Sequence, residues 1–384
     1  MQRRAGEQDD EGSGAPGEHR RIESASLLAI HGGELEERVP QGDVAMGDRH
    51  LDVADQLVAE GRPLDAIEAL RDANRASPDP AVERRLAQVR HVAFDRLEQR
   101  SVFEQWPVPV PDLDAEGPAC IPEIRPDELD ADTVRRKILA HGSVCVRGLL
   151  DGDRVSGFVA GIDQALDVRA DGPRAGLTTH KDQSWFAALP LPPEAAQSLG
   201  RHWVAGSGGV LAADSPRLLH RLFETYEEVG LRQVVADYLG ERPVLSANKC
   251  TLRRVPLTAS TDWHQDGAFL GRGIRALNIW IALSDCGLDA PGMDLLPRRL
   301  EHIVETGTGG AIFDWAVGPA VVERLAADAE VVRPAFRAGD AVLFDDMCLH
   351  RTAIEPTMTR PRYAIESWFF AATSYPAGQV PLVW

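Results

Sequence analysis

The sequence predicts an α+β protein in which helices pack around a closed or sandwiched antiparallel sheet. Apolar residues recur at helical spacing in most stretches before residue 240, whereas the chain reads as strands and turns from Val244 onward. Candidate metal ligands lie far apart within the strand-rich part, so a shared ion requires the sheet to close on itself. Together these observations predict helices first and a closed sheet after them.

Residues 1–48 are predicted to be a disordered tail. They are rich in Gly, Glu, Asp, Arg and Gln and contain few large apolar side chains. Such a segment cannot bury enough surface to offset the entropy that is lost when it becomes ordered. The amino terminus also lacks the apolar stretch of a signal peptide, so a cytoplasmic location is expected.

Residues 49–100 are predicted to form a small helical segment. From Leu51 apolar residues recur at helical spacing, with breaks at residues 61–63 and 77–80 and a further helix over residues 82–97. Its small residues resemble one tetratricopeptide repeat, a unit that needs neighbours to bury its faces. The segment could therefore pack on the main domain, self-associate or bind a protein partner, and a plain helical hairpin with no partner-binding role is equally open.

Residues 101–384 are predicted to form the main domain. A proline-rich stretch over residues 103–122 is expected to be extended. Helices are expected over residues 127–141, 153–168 and 218–239, with a short strand within residues 142–150. After Val244, strands are expected to alternate with turns at residues 271–273, 290–292 and 337–340.

Composition excludes several classes of function. The chain has 384 residues, of which 44% are hydrophobic and 26% charged, and these are ordinary values for a globular protein. A formal net charge of −18 argues against binding to nucleic acid or to an anionic membrane. The apolar runs are too short to span a membrane. Five cysteines without a Cys-x-x-Cys spacing argue against a disulfide framework or a structural zinc site.

The segment Trp263–Gly267, which reads Trp-His-Gln-Asp-Gly, contains two candidate metal ligands between strand-like stretches. In an extended chain the side chains at positions i and i+2 share a face, so His264 and Asp266 are expected to project together. His350 is the expected third ligand. Two histidines and one carboxylate form the facial ligand set of non-haem Fe(II) oxygenases.

Arg362 begins another strand-like run that continues to residue 369. Alternation places Arg362, Ala364, Glu366 and Trp368 on one face of that strand. A guanidinium in this position could bind a carboxylate through two parallel hydrogen bonds.

The motif His264-x-Asp266, followed by a Gly-Asp turn, His350 and Arg362, resembles the phytanoyl-CoA dioxygenase family. The resemblance extends over roughly residues 127–371 and is strongest after Asn248. It implies a double-stranded β-helix (jelly-roll) core that holds Fe(II) through His264, Asp266 and His350. It also implies 2-oxoglutarate as cosubstrate and dioxygen as oxidant, with succinate and CO2 as products.

The same resemblance implies roles for three further residues. Arg362 would bind the distal carboxylate of 2-oxoglutarate, Thr352 would assist that arginine, and Trp280 would line the cosubstrate pocket. Arg360 is close enough to compete for the arginine role, but it is expected in the preceding turn, next to Pro361. The Tyr-Ala-Ile sequence after Arg362 fits the strand register of the family.

The resulting hypothesis is a dioxygenase that hydroxylates a small molecule or a carrier-tethered metabolite. Because Asp266 supplies the carboxylate ligand, hydroxylation is favoured over halogenation, which uses alanine there in the family. Two other functions stay open at this point. A zinc ion on the same ligands could activate water for hydrolysis, or a degenerate oxygenase domain could act as a non-catalytic binding protein.

Overall fold

The structure, a computed structural model, describes residues 46–98, 100–113, 117, 119–175, 182–258, 261–327 and 329–384. The predicted disordered tail lies outside these residues over positions 1–45, and its last three residues begin the first helix. The described residues form one compact unit.

The helices of the described residues are α1 (Met46–Ala59), α2 (Pro63–Ala76), α3 (Pro80–Val92), α4 (Ala131–His141), α5 (Gly152–Ala175), α6 (Asp182–Trp185), α7 (Pro193–Ser198), α8 (Arg201–Gly206), α9 (Pro216–Glu228), α10 (Leu231–Leu239), α11 (Gly267–Leu270) and α12 (Pro319–Leu325). The strands are β1 (Glu123–Ile124), β2 (Ser143–Val146), β3 (Gly209–Leu211), β4 (Pro243–Val255), β5 (Ala276–Ala282), β6 (Gly292–Leu295), β7 (Ala341–Phe344), β8 (His350–Ala353), β9 (Arg362–Ala371) and β10 (Pro381–Val383).

The strands form two sheets, as the predicted α+β jelly-roll class requires. The large sheet has the order β1-β2-β7-β5-β9-β4-β10, with β3 paired to β4, and its neighbours are antiparallel except for β1 and β2. The small sheet pairs β6 with β8. Because strands that are distant in the chain are neighbours in the sheets, the fold brings remote segments together, and the predicted fold class is confirmed.

Alternation along the central strands divides the core into two clusters. On β9, Ile365 and Phe369 belong to the cluster that packs against helices, whereas Ala364 and Trp368 belong to the cluster between the two sheets. Strand β5 is divided in the same way and is buried along its whole length. A strand covered on both faces has apolar residues in succession, which explains the unbroken apolar character of this segment.

The first three helices pack against the carboxyl-terminal strand. Their apolar cluster includes Val383 of β10, and Nη1 of Arg90 donates a hydrogen bond of 2.7 Å to the carbonyl oxygen of Val383. An ion pair of 2.9 Å between Arg217 and Glu83 ties α3 to α9. The helical segment therefore has packing partners within its own chain, while its resemblance to a tetratricopeptide repeat stays a prediction.

One predicted helix is divided in two. The sequence pattern predicts continuous helix over residues 218–239, but α9 ends at Glu228 and α10 begins at Leu231. Gly230, between them, has φ of 78°. Glycine adopts this left-handed conformation without steric penalty, so the chain can turn there while both helices keep their apolar faces on the sheet.

Among the described residues, no helix combines the length and the apolar character that a membrane crossing requires.

Candidate active site

A pair of backbone hydrogen bonds brings the two candidate histidine ligands together. The amide of His264 donates to the carbonyl oxygen of His350 at 3.0 Å, and the amide of His350 donates to that of His264 at 3.1 Å. This isolated antiparallel bridge joins residues that are 86 positions apart. The two imidazole rings lie with their centroids 4.4 Å apart. Their proximity is therefore fixed by the main chain rather than by side-chain rotamers.

Asp266 reaches the same point by a different route from the one expected. The strand-like conformation expected for this segment is wrong beyond His264, because Asp266 is in the helical region, with φ of −61° and ψ of −28°, and precedes α11. Its carbonyl oxygen accepts hydrogen bonds from the backbone amides of Phe269 and Leu270. The carboxylate therefore reaches the histidines through the turn into a short helix, and not through the alternation of side chains along a strand.

The three side chains offer one ligand atom each within a small volume. The ligand atoms of His264, Asp266 and His350 all lie within 4.8 Å of one another, and Nε2 of His350 is 3.7 Å from Oδ2 of Asp266. Two imidazoles and a carboxylate at such distances could hold one divalent metal ion, and this donor set suits iron or zinc.

The hydrogen bonds around the histidines select the tautomer that a metal requires. Nδ1 of His264 lies 2.7 Å from the carbonyl oxygen of Asp262, and Nδ1 of His350 lies 3.2 Å from that of Cys348. A carbonyl oxygen can only accept, so each Nδ1 carries the proton and each Nε2 keeps its lone pair. Burial, reinforced by His350, lowers the pKa of His264 to about 4, so this ring is neutral at pH 7.

Lys249, which the sequence analysis did not single out, completes the charge balance. Its Nζ lies 3.1 Å from Oδ1 of Asp266 and 4.1 Å from the centre of the Phe269 ring. Burial acts to raise the pKa of Asp266, but the Lys249 ammonium and the neighbouring histidines outweigh it and hold that pKa below its usual value. Lys249 is thus ion-paired with Oδ1 of Asp266, while Oδ2 faces His350.

The three residues lie in a cavity of about 430 Å³ between the two sheets. Arg362 and Trp280 line it from the large sheet, and Thr352 lines it from β8. The guanidinium carbon of Arg362 is 5.1 Å from the centre of the Trp280 ring. The backbone amide of Thr352 donates to Oγ1 of Thr261 at 2.8 Å. All of the predicted site residues therefore border one cavity.

Arg362 is a buried cation without a carboxylate partner. Its Nη1 donates to the carbonyl oxygen of Gly292 at 2.8 Å, but its Nε has no partner and it forms no ion pair among the described residues. Burial lowers its pKa to about 10, so it stays protonated at pH 7. The competing Arg360 lies outside this cavity, 57% exposed, in an ion pair of 2.7 Å with Asp289.

Sequence reasoning missed Lys249 although a usable signal was present. Lys249, Thr251 and Arg253 occupy alternate positions of β4 and line the cavity, while the intervening Cys250 and Leu252 are buried in the core beneath the helices. Polar residues at every second position of an otherwise apolar strand indicate a polar cavity on that face. Trp203 and Trp315 also line the cavity, but they come from a helix and a loop whose placement has no local signal.

Several solved structures are similar to this chain. The crystal structure of EctD from S. alaskensis with 2-oxoglutarate and 5-hydroxyectoine has a TM-score of 0.45 and 14% identity, over 62% of this chain and 75% of that one. The epimerase SnoN in complex with Fe3+, alpha ketoglutarate and nogalamycin RO has a TM-score of 0.41 and 19% identity, over 65% and 86%. The carbocyclase SnoK from nogalamycin biosynthesis has a TM-score of 0.41 and 16% identity, over 66% of this chain and 87% of that one. A comparison with curated proteins gave no match.

Fold and site define a double-stranded β-helix protein with two histidines and one carboxylate that could hold iron. The chain belongs to the phytanoyl-CoA dioxygenase family, whose model matches residues 140–354, more than half of the chain. The resemblance predicted from the sequence is therefore confirmed. The chain is a 2-oxoglutarate-dependent oxygenase by family.

Proposed function

We propose that this protein is an Fe(II)- and 2-oxoglutarate-dependent dioxygenase that hydroxylates a small-molecule or carrier-tethered substrate. The observation that carries the proposal is the convergence of His264, Asp266 and His350 in one cavity with the unpaired guanidinium of Arg362. Bound iron with 2-oxoglutarate supplies the oxidation of a substrate C–H bond by dioxygen, with release of succinate and CO2.

The residues fit the metal. His264 and His350 would each bind it through Nε2, because Nδ1 of each ring is engaged by a backbone carbonyl. Asp266 would bind through Oδ2, while Lys249 holds Oδ1. Three protein ligands of this kind would hold the metal and leave it able to bind cosubstrate and oxidant as well.

The residues also fit the cosubstrate. A buried guanidinium with an unsatisfied Nε is unfavourable unless an anion reaches it, because a buried charge without a partner loses its hydration. The distal carboxylate of 2-oxoglutarate would supply that partner through two charge-assisted hydrogen bonds. The ring of Trp280 supports the guanidinium from one side, and Thr352 borders the same space.

Anaerobic titration of the full chain with Fe(II) and 2-oxoglutarate tests the proposal. We expect a weak visible charge-transfer band that requires both additions, followed by succinate release when dioxygen is admitted. The band should be absent from His350→Ala. The matched control is His302→Ala, because His302 is an exposed histidine outside the cavity lining, and it should keep the band.

Three results would contradict the proposal. A band of equal strength in His350→Ala would place the iron elsewhere. Tight zinc binding with hydrolytic turnover and no succinate would favour the metallohydrolase alternative. A chain that binds neither metal nor cosubstrate, yet captures a protein partner equally well as His264→Ala, would favour the non-catalytic binding protein.

A further inference from the structure

We propose that the substrate of this site carries a planar aromatic ring system, which stacks on a rim of aromatic side chains at the mouth of the cavity. This inference rests on the proposed function, because it names the substrate class of the same site. The aromatic rim consists of Trp203, Phe269, Phe313 and Trp315.

Exposure distinguishes the aromatic rim from the rest of the described chain. Trp203 is 54% exposed, Phe269 44%, Phe313 52% and Trp315 39%, and every exposed aromatic residue among the described positions belongs to this set. Folding normally covers such side chains because their large apolar area is poorly accommodated by water. Exposed apolar residues that are concentrated at one place mark a binding surface.

The aromatic rim adjoins the residues that would hold the metal. The Trp315 ring lies 5.8 Å from the His264 ring and perpendicular to it, and the Phe269 ring lies 6.2 Å from it at an angle of 27°. Phe313 stacks on Trp315 with a centroid distance of 5.3 Å and nearly parallel planes. A ring bound against these faces would lie next to the position where oxidation takes place.

The shape of the surface favours a small molecule over a protein. Trp203, Phe269 and Trp315 line a concave space of about 430 Å³ rather than a flat patch. That volume lies within the range of roughly 300–1,000 Å³ that is typical of small-molecule sites. A protein helix, with a diameter of about 10–12 Å including its side chains, would not enter such a space beside the metal ligands.

The composition of the surface favours a planar ring over a flexible chain. Two rim rings are held in place by cations, since Arg253 lies 5.1 Å from the centre of the Trp203 ring and Lys249 lies 4.1 Å from that of Phe269. Fixed aromatic faces give a planar ligand offset-stacked or edge-to-face contacts beyond simple burial. An alkyl chain gains only the burial and also loses rotamer freedom.

Binding of uncharged probes to the metal-free full chain tests this inference. We compare 2-naphthylmethanol with its saturated analogue decahydro-2-naphthylmethanol, with undecan-1-ol and with methyl β-D-glucoside, by isothermal titration calorimetry. Because several aromatic contacts would each add to the affinity, the planar probe should bind about tenfold more tightly than the saturated one. Equal or tighter binding of any of the other three probes overturns the inference, as does failure of the planar probe to bind.

Variants locate the binding at the aromatic rim. Trp315→Leu should weaken the planar probe about tenfold, and Trp315→Phe, which keeps a ring, should stay within about threefold of the wild type. Trp203→Leu provides the same test if Trp315→Leu does not fold. The matched control is Leu288→Ala, since Leu288 is an exposed apolar residue outside this cavity, and it should bind as the wild type does. Equal loss in Leu288→Ala would refute the assignment.

The two proposals fail separately. Probe binding needs no metal, whereas the charge-transfer band needs no substrate. A planar probe that binds at the rim of a chain without the band would overturn the proposed function alone. A chain with the band but without selective probe binding would overturn the aromatic substrate alone.

Discussion

Replacing Arg362 by methionine separates stability from cosubstrate binding at one residue. The guanidinium is buried and its Nε has no partner. Methionine keeps much of the aliphatic bulk and removes the charge. We expect Arg362→Met to fold with nearly unchanged stability and to lose affinity for 2-oxoglutarate.

The structure sets the size of both effects. Burial lowers the pKa of Arg362 from 12.5 to about 10, which corresponds to an unfavourable contribution of about 3 kcal/mol to folding at neutral pH. The hydrogen bonds of the charged guanidinium to backbone carbonyls return roughly 1.5–3 kcal/mol. The two contributions nearly cancel, so the free energy of unfolding of the metal-free variant should lie within about 1 kcal/mol of the wild type.

Cosubstrate binding should respond much more strongly. Removing one partner of a buried charge pair costs at least about 2 kcal/mol, which raises Kd by about 30-fold. With Fe(II) bound anaerobically and 2-oxoglutarate at about 100 times the wild-type Kd, the cosubstrate should stabilise the wild type by about 2.7 kcal/mol. The same concentration should stabilise Arg362→Met by about 0.9 kcal/mol. Urea unfolding of the wild type and of Arg362→Met, each with and without 2-oxoglutarate, gives the four free energies of unfolding that these differences require.

Arg360→Met is the matched control, because Arg360 is exposed and already paired with Asp289. It should leave both the stability and the gain from 2-oxoglutarate unchanged. A loss of roughly 3–5 kcal/mol in metal-free Arg362→Met would show that the guanidinium has a structural anion partner. An undiminished gain from 2-oxoglutarate in that variant would refute its assignment to the cosubstrate.

Two further predictions concern packing at the site and the pH dependence of stability. A Cβ on Gly267 would lie 2.7 Å from Cδ1 of Ile303 and 2.9 Å from Oδ2 of Asp346, so Gly267→Ala should lower the free energy of unfolding by about 1–3 kcal/mol. Gly152→Ala is the control and should leave it unchanged, because a Cβ there meets nothing within 4 Å. Equal urea midpoints for the two variants would contradict the packing argument. Burial lowers the pKa of His220 to about 4 in the folded chain. The stability that depends on the neutral ring is therefore fully present above the unfolded pKa of about 6.5 and is lost as the pH falls toward 4. The loss of unfolding free energy from this group between pH 8 and pH 5 is at most about 2 kcal/mol. When urea unfolding is measured at both pH values, His220→Leu should lose about that much less free energy than the wild type. An identical pH dependence of the two proteins would show that the ring is hydrated in the folded state.

The parts of the site that depend on local periodicity could be predicted from the sequence. Strand β9 places Arg362 and Glu366 in the cavity and Trp368 in the core between the sheets, as alternation requires. The order of His264, Asp266 and His350 along the chain also predicted a common site, and the structure brings their ligand atoms together. Their role as iron ligands stays a prediction for the titration to test.

The parts that depend on non-local packing could not be predicted in this way. The conformation of Asp266 is set by α11 and by the amide of Gly267, which donates to the carbonyl oxygen of Asp346. Trp203 and Trp315 reach the cavity from a helix and a loop that no sequence period connects to the sheet. Gly230 interrupts a helix whose apolar pattern continues across it, because the periodicity records burial rather than the direction of the helix axis.

The paired amides of His264 and His350 have a consequence for the life of the protein in the cell. Since they join segments 86 residues apart, no partial chain emerging from a ribosome can present both imidazoles before the later strand has been synthesised and docked. If these residues hold iron as proposed, the metal site would form only after β8 has docked beside His264, so an incomplete chain would not present a redox-active ion to dioxygen.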